Sequence, residues 1–325
     1  MKRILITGAT GYIGGVLAER LVAEGHQVIA LARTIPRQAN PAVEWIKGDL
    51  HETTALHEAM RQVSEVYHIA AYARPWAKDR STFNRINVEG TENVFQAAEN
   101  TGVKRVVFTS TAGVFGPCQD FQPVHESSQP WARVYTEYDR SKIAAEALAR
   151  ARAAKGQEIV IVNPSRVYGP GDPATINAVN KMIQLYLKGR FRFLPGDGSG
   201  MGNYVYIDDV INGHLLAMER GIPGENYILG GVNTSYKDFF DQVAAISGKS
   251  FGTLPMPLGI MQFSARLMQL RADWFGIPPA ITPEWIDRFD VHWMLSHQKA
   301  TDHLGYQTTP LEKGLEKTTR WLQNL

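Results

Sequence analysis

A single cysteine, Cys118, stands in a chain of 325 residues, so no internal disulfide can form and a reducing compartment, by default the cytoplasm, is expected. Basic tracts are missing as well. The 34 Lys and Arg and 32 Asp and Glu leave a net charge of +2, which argues against a nucleic-acid partner and for small molecules. No stretch reaches the roughly 20 apolar residues of a spanning helix. The most membrane-like segment, Leu254 to Leu270, carries Pro255, Pro257 and Arg266, so it reads as an amphipathic helix lining a pocket and no membrane partner is expected. Met1, Lys2 and Arg3 look like the basic start of a signal peptide, but the apolar run ends at Ile6; no leader is expected to be removed. The nine His form no cluster with Cys or carboxylates at ligand spacing, so no metal is expected. Internal repeats and low-complexity segments are also lacking.

What is present is an alternation. Ile4 to Thr7, Val28 to Ala32, Val66 to Ile69, Val106 to Thr109 and Ile159 to Val162 are strand-like, with helical patterns between them. This predicts an α/β fold, a Rossmann-type doubly wound parallel sheet binding ligands beyond the carboxyl ends of its strands. After Gly169 the pattern turns irregular, although Tyr204 to Ile207 and Asn226 to Leu229 look like strands returning to the first lobe. The length exceeds what one core usually grows to. The expected division is a nucleotide-binding domain over 1–168 plus a returning segment 204–232, and a smaller, discontinuous C-terminal substrate lobe over 169–203 and 233–325.

Three motifs fall at strand ends. The first is a glycine loop, Thr7, Gly8, Ala9, Thr10, Gly11, Tyr12, Ile13, Gly14, directly after a strand and before a helix. Glycines there permit a tight turn and close backbone approach, so that helix N-terminal amides can hold a pyrophosphate. The second is the hydroxyl pair Ser110 and Thr111. The third is Tyr138, alone among twelve tyrosines in having a Lys, Lys142, four residues on. One helical turn brings i and i+4 to the same face, where an ammonium favours the ionised phenol. At ~5 Å and an effective dielectric of about 20, the interaction is roughly 3 kcal/mol, or about two pK units below 10. Ile143, Ala144, Leu148 and Ala149 recur at helical intervals, and Gly156 supplies a stop.

Between Ala30 and Gln38, where an NAD enzyme usually places an acid for the adenosine ribose, there is no Asp or Glu. Arg33, Thr34 and Arg37 stand there instead and suit a 2′-phosphate. NADP is therefore the expected cofactor, with NAD as the alternative.

With these motifs the chain resembles the short-chain dehydrogenase/reductase superfamily, specifically its extended members, whose first turn reads Thr-Gly-Ala-Thr-Gly-Tyr-Ile-Gly or nearly so. Further matches are Gly48, Asp49 and Leu50; Val66, His68, Ala70 and Ala71; Asn87, Val88, Gly90, Thr91, Asn93 and Val94; Pro164 with Val167 to Gly171; Asp208 to Val210; and Lys299 with Leu304 to Tyr306. The resemblance implies that Gly8, Thr10, Gly11, Tyr12 and Ile13 hold the cofactor, that Asp49 and Leu50 meet its adenine, and that Ala70 and Ala71 line the channel beneath it. Pro164 and Ser165 would approach the nicotinamide, and Tyr138 and Lys142 would meet its ribose. Asn87 would help fix the fold, and His68 reads as a packed strand residue.

Alignment of the hydroxyl motif puts Thr111 at the substrate-facing position and leaves Ser110 as a structural hydroxyl. The implied chemistry is hydride transfer to a ketone or aldehyde, or from the matching alcohol, with Thr111 bonding the alkoxide, Tyr138 passing the proton and Lys142 lowering the phenol pKa. A nucleotide-sugar epimerase or dehydratase with tightly held NAD is the alternative. Against it, Thr111 is followed by Ala112 and Gly113 rather than the dehydratases' Asp-Glu pair, and Gly202, Asn203, Tyr204 lack the Arg that binds a sugar diphosphate. The pattern is closer to the dihydroflavonol reductase and hydroxysteroid dehydrogenase branches. Tyr72, Trp76, Phe115, Trp131 and Tyr135 are candidate substrate contacts, while Met261, Phe263, Leu267 and Met268 could line the second lobe. Arg74 reads as a solvated arginine. The family also leads one to expect a homodimer built on the helix of Tyr138.

Overall fold

In the computed structural model, residues 1–129 and 136–325 are described. The strands are β1 Arg3–Thr7, β2 Gln27–Ala32, β3 Val43–Lys47, β4 Glu65–His68, β5 Arg105–Thr109, β6 Ile159–Pro164, β7 Arg166–Tyr168, β8 Phe193–Pro195, β9 Met201–Tyr206, β10 Asn226–Leu229, β11 Val232–Ser235 and β12 Leu254–Met256. The α-helices are α1 Tyr12–Ala23, α2 Thr53–Ala59, α3 Ser81–Asn84, α4 Gly90–Asn100, α5 Glu137–Ala153, α6 Ala178–Leu187, α7 Ile207–Arg220, α8 Tyr236–Ser247, α9 Leu258–Phe275, α10 Pro283–Asp287, α11 Gln298–Leu304 and α12 Leu311–Gln323. A π-helical turn, Arg85–Glu89, joins α3 to α4.

Seven strands form one sheet in the order β10-β6-β5-β4-β1-β2-β3, every neighbouring pair parallel. A parallel sheet is covered on both faces, which is why these strands are apolar at nearly every position. Alternate side chains enter different cores. Ile4, Ile6, Val28, Ala30, Val107 and Val160 face one cluster, whereas Leu5, Ile29, Leu31, Val106, Phe108 and Ile161 face another with α2 and α4 residues. The first cluster runs on without a break into Tyr168, Val205, Phe239 and Leu315.

Asn226–Leu229 returns to the long sheet beside β6, as its pattern predicts. Tyr204 to Ile207 does not. Its strand, β9, is the centre of a separate three-stranded sheet, parallel to β7 and antiparallel to β11. Only the following helix, α7, packs back on β5 and β6. Short apolar strands look alike in sequence, and which sheet accepts them is set by pairing partners far along the chain. Strand β3, with its mixture of Glu44, Trp45 and Lys47 on an edge, lacks the apolar run that marked the others.

The segment from Leu254 also departs from expectation. After β12 it forms α9, whose Ala265 and Ala272 are buried, whereas Phe263 and Leu267 are more than half exposed. Those two residues face solvent; Met261 and Met268 are half-buried.

Candidate active site

Sheet order reverses at β1, with β2 on one side and β4 on the other, and the glycine loop and the segment after β4 meet in the resulting crevice. Gly8 has φ 82°, and a Cβ there would lie 2.6 Å from the amide nitrogen of Ala70. No other residue fits so close an approach. Gly11 donates its N–H to the Gly8 carbonyl at 2.9 Å and caps α1, with no side-chain cap and no acid in the first turn. A Cβ on Gly14 would run into the Gly8 carbonyl oxygen, so helix and loop pack backbone on backbone. The open N-terminus of α1, positive by its dipole, fits a pyrophosphate. Thr10 is exposed and Ile13 half-buried beside it. The side chain of Tyr12 goes elsewhere, donating to the Gly169 carbonyl at 2.7 Å and blocking any side chain at Gly171. It anchors α1 to the chain beyond β7, which leaves only its backbone for a cofactor.

Arg33 and Arg37 are exposed on the loop after β2, and neither has a carboxylate partner among the described residues. Asp49 accepts the His51 N–H on Oδ1 at 3.1 Å, leaving Oδ2 without a bond among the described residues. Leu50 packs against Gly90 and is tied at its carbonyl by Asn93. Ala70 and Ala71 are half-buried where β4 ends. Across the crevice, Pro164 closes β6, and the buried Ser165 hydroxyl has no partner among the described residues. Taken together, these residues fit a dinucleotide.

Helix α5 carries Tyr138 and Lys142, the pair expected to transfer the proton. Thr136 caps it, accepting from the Asp139 N–H at 3.2 Å while Asp139 Oδ2 accepts the Thr136 N–H at 2.9 Å, a reciprocal box that defines the first turn. Tyr138 lies in that turn. One turn on, Lys142 is buried, donates from Nζ to the Thr109 carbonyl at 2.7 Å, and stands 4.2 Å above the Phe108 ring. The expected depression of the phenol is not found. Burial, followed by the charge of Asp139, pushes Tyr138 above its ordinary value. Burial also lowers Lys142 to about 7, against an opposing effect of Glu146. An ammonium engaged with a carbonyl and itself close to neutral has little charge to lend.

The Thr111 hydroxyl is half-buried and accepts the Gly113 N–H at 3.2 Å, which leaves its own proton to donate. Ser110 was expected to be structural, but its buried hydroxyl has no partner among the described residues. Behind the pair runs a closed network. Thr7 Oγ1 meets His68 Nδ1 at 2.6 Å, His68 Nε2 meets Thr91 Oγ1 at 2.9 Å, and Thr91 donates to the Asn87 carbonyl at 2.7 Å. Asn87 then donates to Ser141 of α5 at 2.9 Å and accepts the Tyr72 N–H at 2.6 Å. Burial, aided by Lys142, lowers His68 to about 3, so the ring is a neutral strut. Asn87 sits in the π-helical turn, a device often found beside functional sites.

Of the substrate candidates, Tyr72 is half-buried and spends its hydroxyl on the Trp76 carbonyl at 3.0 Å, while the Trp76 indole points to Asp273 of α9 at 3.4 Å. Phe115 is not a pocket wall. It is buried among Ala112, Val114, Val124 and Leu295, because the 3₁₀ turn after Thr111 aims it into a small core. Tyr135 and Trp131 lie outside the described residues. Two arginines escaped sequence reasoning. Arg288 reaches Asp139 Oδ2 at 2.5 Å and stacks 3.9 Å from Trp293, bringing the C-terminal half to the cap of α5. Arg166 lies between the Tyr204 and Tyr236 rings, and a Cβ at Gly202 would strike its Nη1. The space where an arginine is missing at Gly202 is thus filled by a guanidinium from β7, which has no carboxylate partner among the described residues. An Arg two residues past Pro164 carries no motif of its own; only the empty side chain at Gly202 hinted at a neighbour.

Comparison with known proteins decides the family, whose model matches residues 4–230. The chain belongs to the NAD dependent epimerase/dehydratase family. This member of it is 32% identical over 98% of its length to a putative dihydroflavonol 4-reductase of Synechocystis, covering 94% of that protein. It is 33% identical over 81% of its length to sterol demethylase protein B of Methylococcus capsulatus, covering 80% of that one. The crystal structure of gox2253 superposes with a TM-score of 0.84 at 32% identity, over 100% of this chain and 98% of that one. UDP-glucose 4-epimerase of Thermotoga maritima superposes with 0.82 at 22% identity over 99% of both chains, a likeness of fold. Membership makes the chain an NAD(P)-dependent oxidoreductase or epimerase of the extended short-chain type. Among the described residues no helix is long and apolar enough to cross a membrane.

Proposed function

We propose that this chain reduces a ketone or aldehyde with NADPH. The observation that carries the reading is the grouping of Tyr138 in the first turn of α5, Lys142 one turn on and bonded to the Thr109 carbonyl, and the Thr111 hydroxyl held by the Gly113 N–H. Carbonyl reduction needs a proton donor, and the Tyr138 phenol, protonated through the neutral range, supplies one. The bound nicotinamide would supply the hydride. Thr111, oriented by Gly113, would donate to the developing alkoxide, Tyr138 would deliver the proton, and Lys142, bonded to the Thr109 carbonyl, would have its remaining protons for the cofactor ribose. Arg33 and Arg37, without acidic neighbours, favour a 2′-phosphate and hence NADP over NAD. Relatives named for a dihydroflavonol and a sterol support a bulky, largely apolar substrate.

A nucleotide-sugar reading is favoured by one finding, the Arg166 guanidinium beside Gly202, which could serve a diphosphate. Cofactor absorbance with aldehydes, aryl ketones and steroid ketones tests the first reading, using NADPH and NADH in parallel. Turnover with NADPH is expected. No turnover, together with a large thermal shift from UDP- or dTDP-sugars, would replace it with the second.

A further inference from the structure

Helix α9 carries a face that none of the described residues covers. Ile260, Phe263, Leu267, Leu270 and Trp274 are each more than half exposed, Trp274 at 80%, and their spacing of three and four residues makes one straight stripe opposite the buried Ala265 and Ala272. Leu254 before the helix and Ile277 after it extend the apolar surface. A contiguous patch of this kind marks an interaction site. Its rim is basic. Arg266 and Arg271 flank the stripe on either side, exposed and without carboxylate partners among the described residues. The helix ends against the loop after β4, where Gly276 meets Lys78 and Trp76 bonds Asp273, and Arg74, Lys78 and Arg80 of that loop are exposed. Of the acids nearby, Asp273 bonds Trp76 and Gln269, Asp79 bonds Ser81, and Asp287 bonds Gln262.

We propose that this face of α9 lies on an anionic phospholipid surface, with its apolar stripe among the acyl chains and its arginines at the phosphates. Long apolar residues ending in a tryptophan, with cations at the edges, are the composition of a helix that rests in the plane of a membrane interface. The charges disfavour a parallel pairing with a second copy of the chain. A parallel seam along the stripe would set Arg266 opposite Arg271 of the other copy. A phosphate surface takes both arginines. Lying on a membrane needs no spanning helix, so the interrupted hydropathy of this segment, which argues against crossing, does not bear on it. The loop beside α9 leads back through Tyr72 to Ala70 and Ala71, so the crevice would open beside the lipid.

The inference does not depend on which reaction the chain performs, and its test reads binding alone. The full chain is sedimented with phosphatidylcholine vesicles, with or without phosphatidylglycerol, while tryptophan emission is followed. Binding to the anionic vesicles, weak binding to neutral ones and a blue shift lost in Trp274→Phe are expected. Arg266→Gln/Arg271→Gln should weaken binding roughly thirtyfold at low salt. Leu267→Ser/Phe263→Ser should abolish it, with an unchanged melting temperature showing that the fold survives. Absence of binding to anionic vesicles, or equal binding by the Leu267→Ser/Phe263→Ser variant, overturns the proposal. A dimer in sedimentation velocity that this variant converts to monomer, without vesicle binding by the parent, assigns the face to a second copy instead.

Discussion

The two walls of the crevice handle buried polar groups differently. On the wall behind β4, Thr7, His68, Thr91, Asn87 and Ser141 satisfy one another in a chain of side-chain hydrogen bonds. On the wall formed by the ends of β5 and β6, the Ser110 and Ser165 hydroxyls and Asn163 Oδ1 are buried and have no partner among the described residues, and Arg166 has rings but, among those residues, no carboxylate. A buried polar group without a partner costs about 1–3 kcal/mol, so native chains keep few of them except where a ligand completes the set. The closed wall is architecture. The open wall is where nicotinamide and substrate would complete the bonding.

This contrast can be broken from either side. The largest expected effect is on activity: Tyr138→Phe should keep NADPH binding, read as an undiminished thermal shift, and lose about a hundred- to ten-thousandfold in turnover. Near-normal turnover would remove Tyr138 from the proton path. Next is Asn87→Ala, which strips partners from Ser141 and the Tyr72 amide and should cost about 2–3 kcal/mol in chemical denaturation. A neutral result would mean the closed wall is not cooperative.

Lys142→Met gives a pH signature. Burial lowers the folded pKa of Lys142 from 10.5 to about 7, so the unfolded chain binds more protons between those values. Its penalty on folding is therefore present in full below about 7 and fades as pH rises toward 10.5. The cofactor-free parent should gain stability relative to Lys142→Met over that window, and a flat difference in melting temperature would contradict it. The smallest change is expected for Ser110→Ala, within about 0.5 kcal/mol of the parent, because no bond is lost. Should Ser110→Ala instead abolish turnover while Thr111→Val is tolerated, the two hydroxyls exchange roles.

Legibility in sequence followed the range of the interactions. The five strands of the first half were readable because burial on both faces leaves uninterrupted apolar runs, and the glycine loop because Gly8 must take positive φ against Ala70. The Tyr138 and Lys142 pair was readable because one helical turn relates them. Several inferences about distant neighbours failed, although Asn226–Leu229 did return beside β6. Phe115 enters a core, β9 joins another sheet, and Phe263 faces outward. Residue type alone cannot say whether an aromatic side chain meets a ligand, a core or water.

The amino-acid sequence by itself determined the parallel sheet, the glycine loop between β1 and α1 and the one-turn spacing of Tyr138 and Lys142, since each rests on local backbone geometry or a short period. Tertiary structure alone decided the state of those groups. Burial of Tyr138 and the Asp139 charge beside it raise the phenol, the Thr109 carbonyl captures Lys142, and Arg288 arrives at Asp139 from 149 residues away. Charge and solvation at a site depend on everything packed around it, and that is known only once the chain has closed.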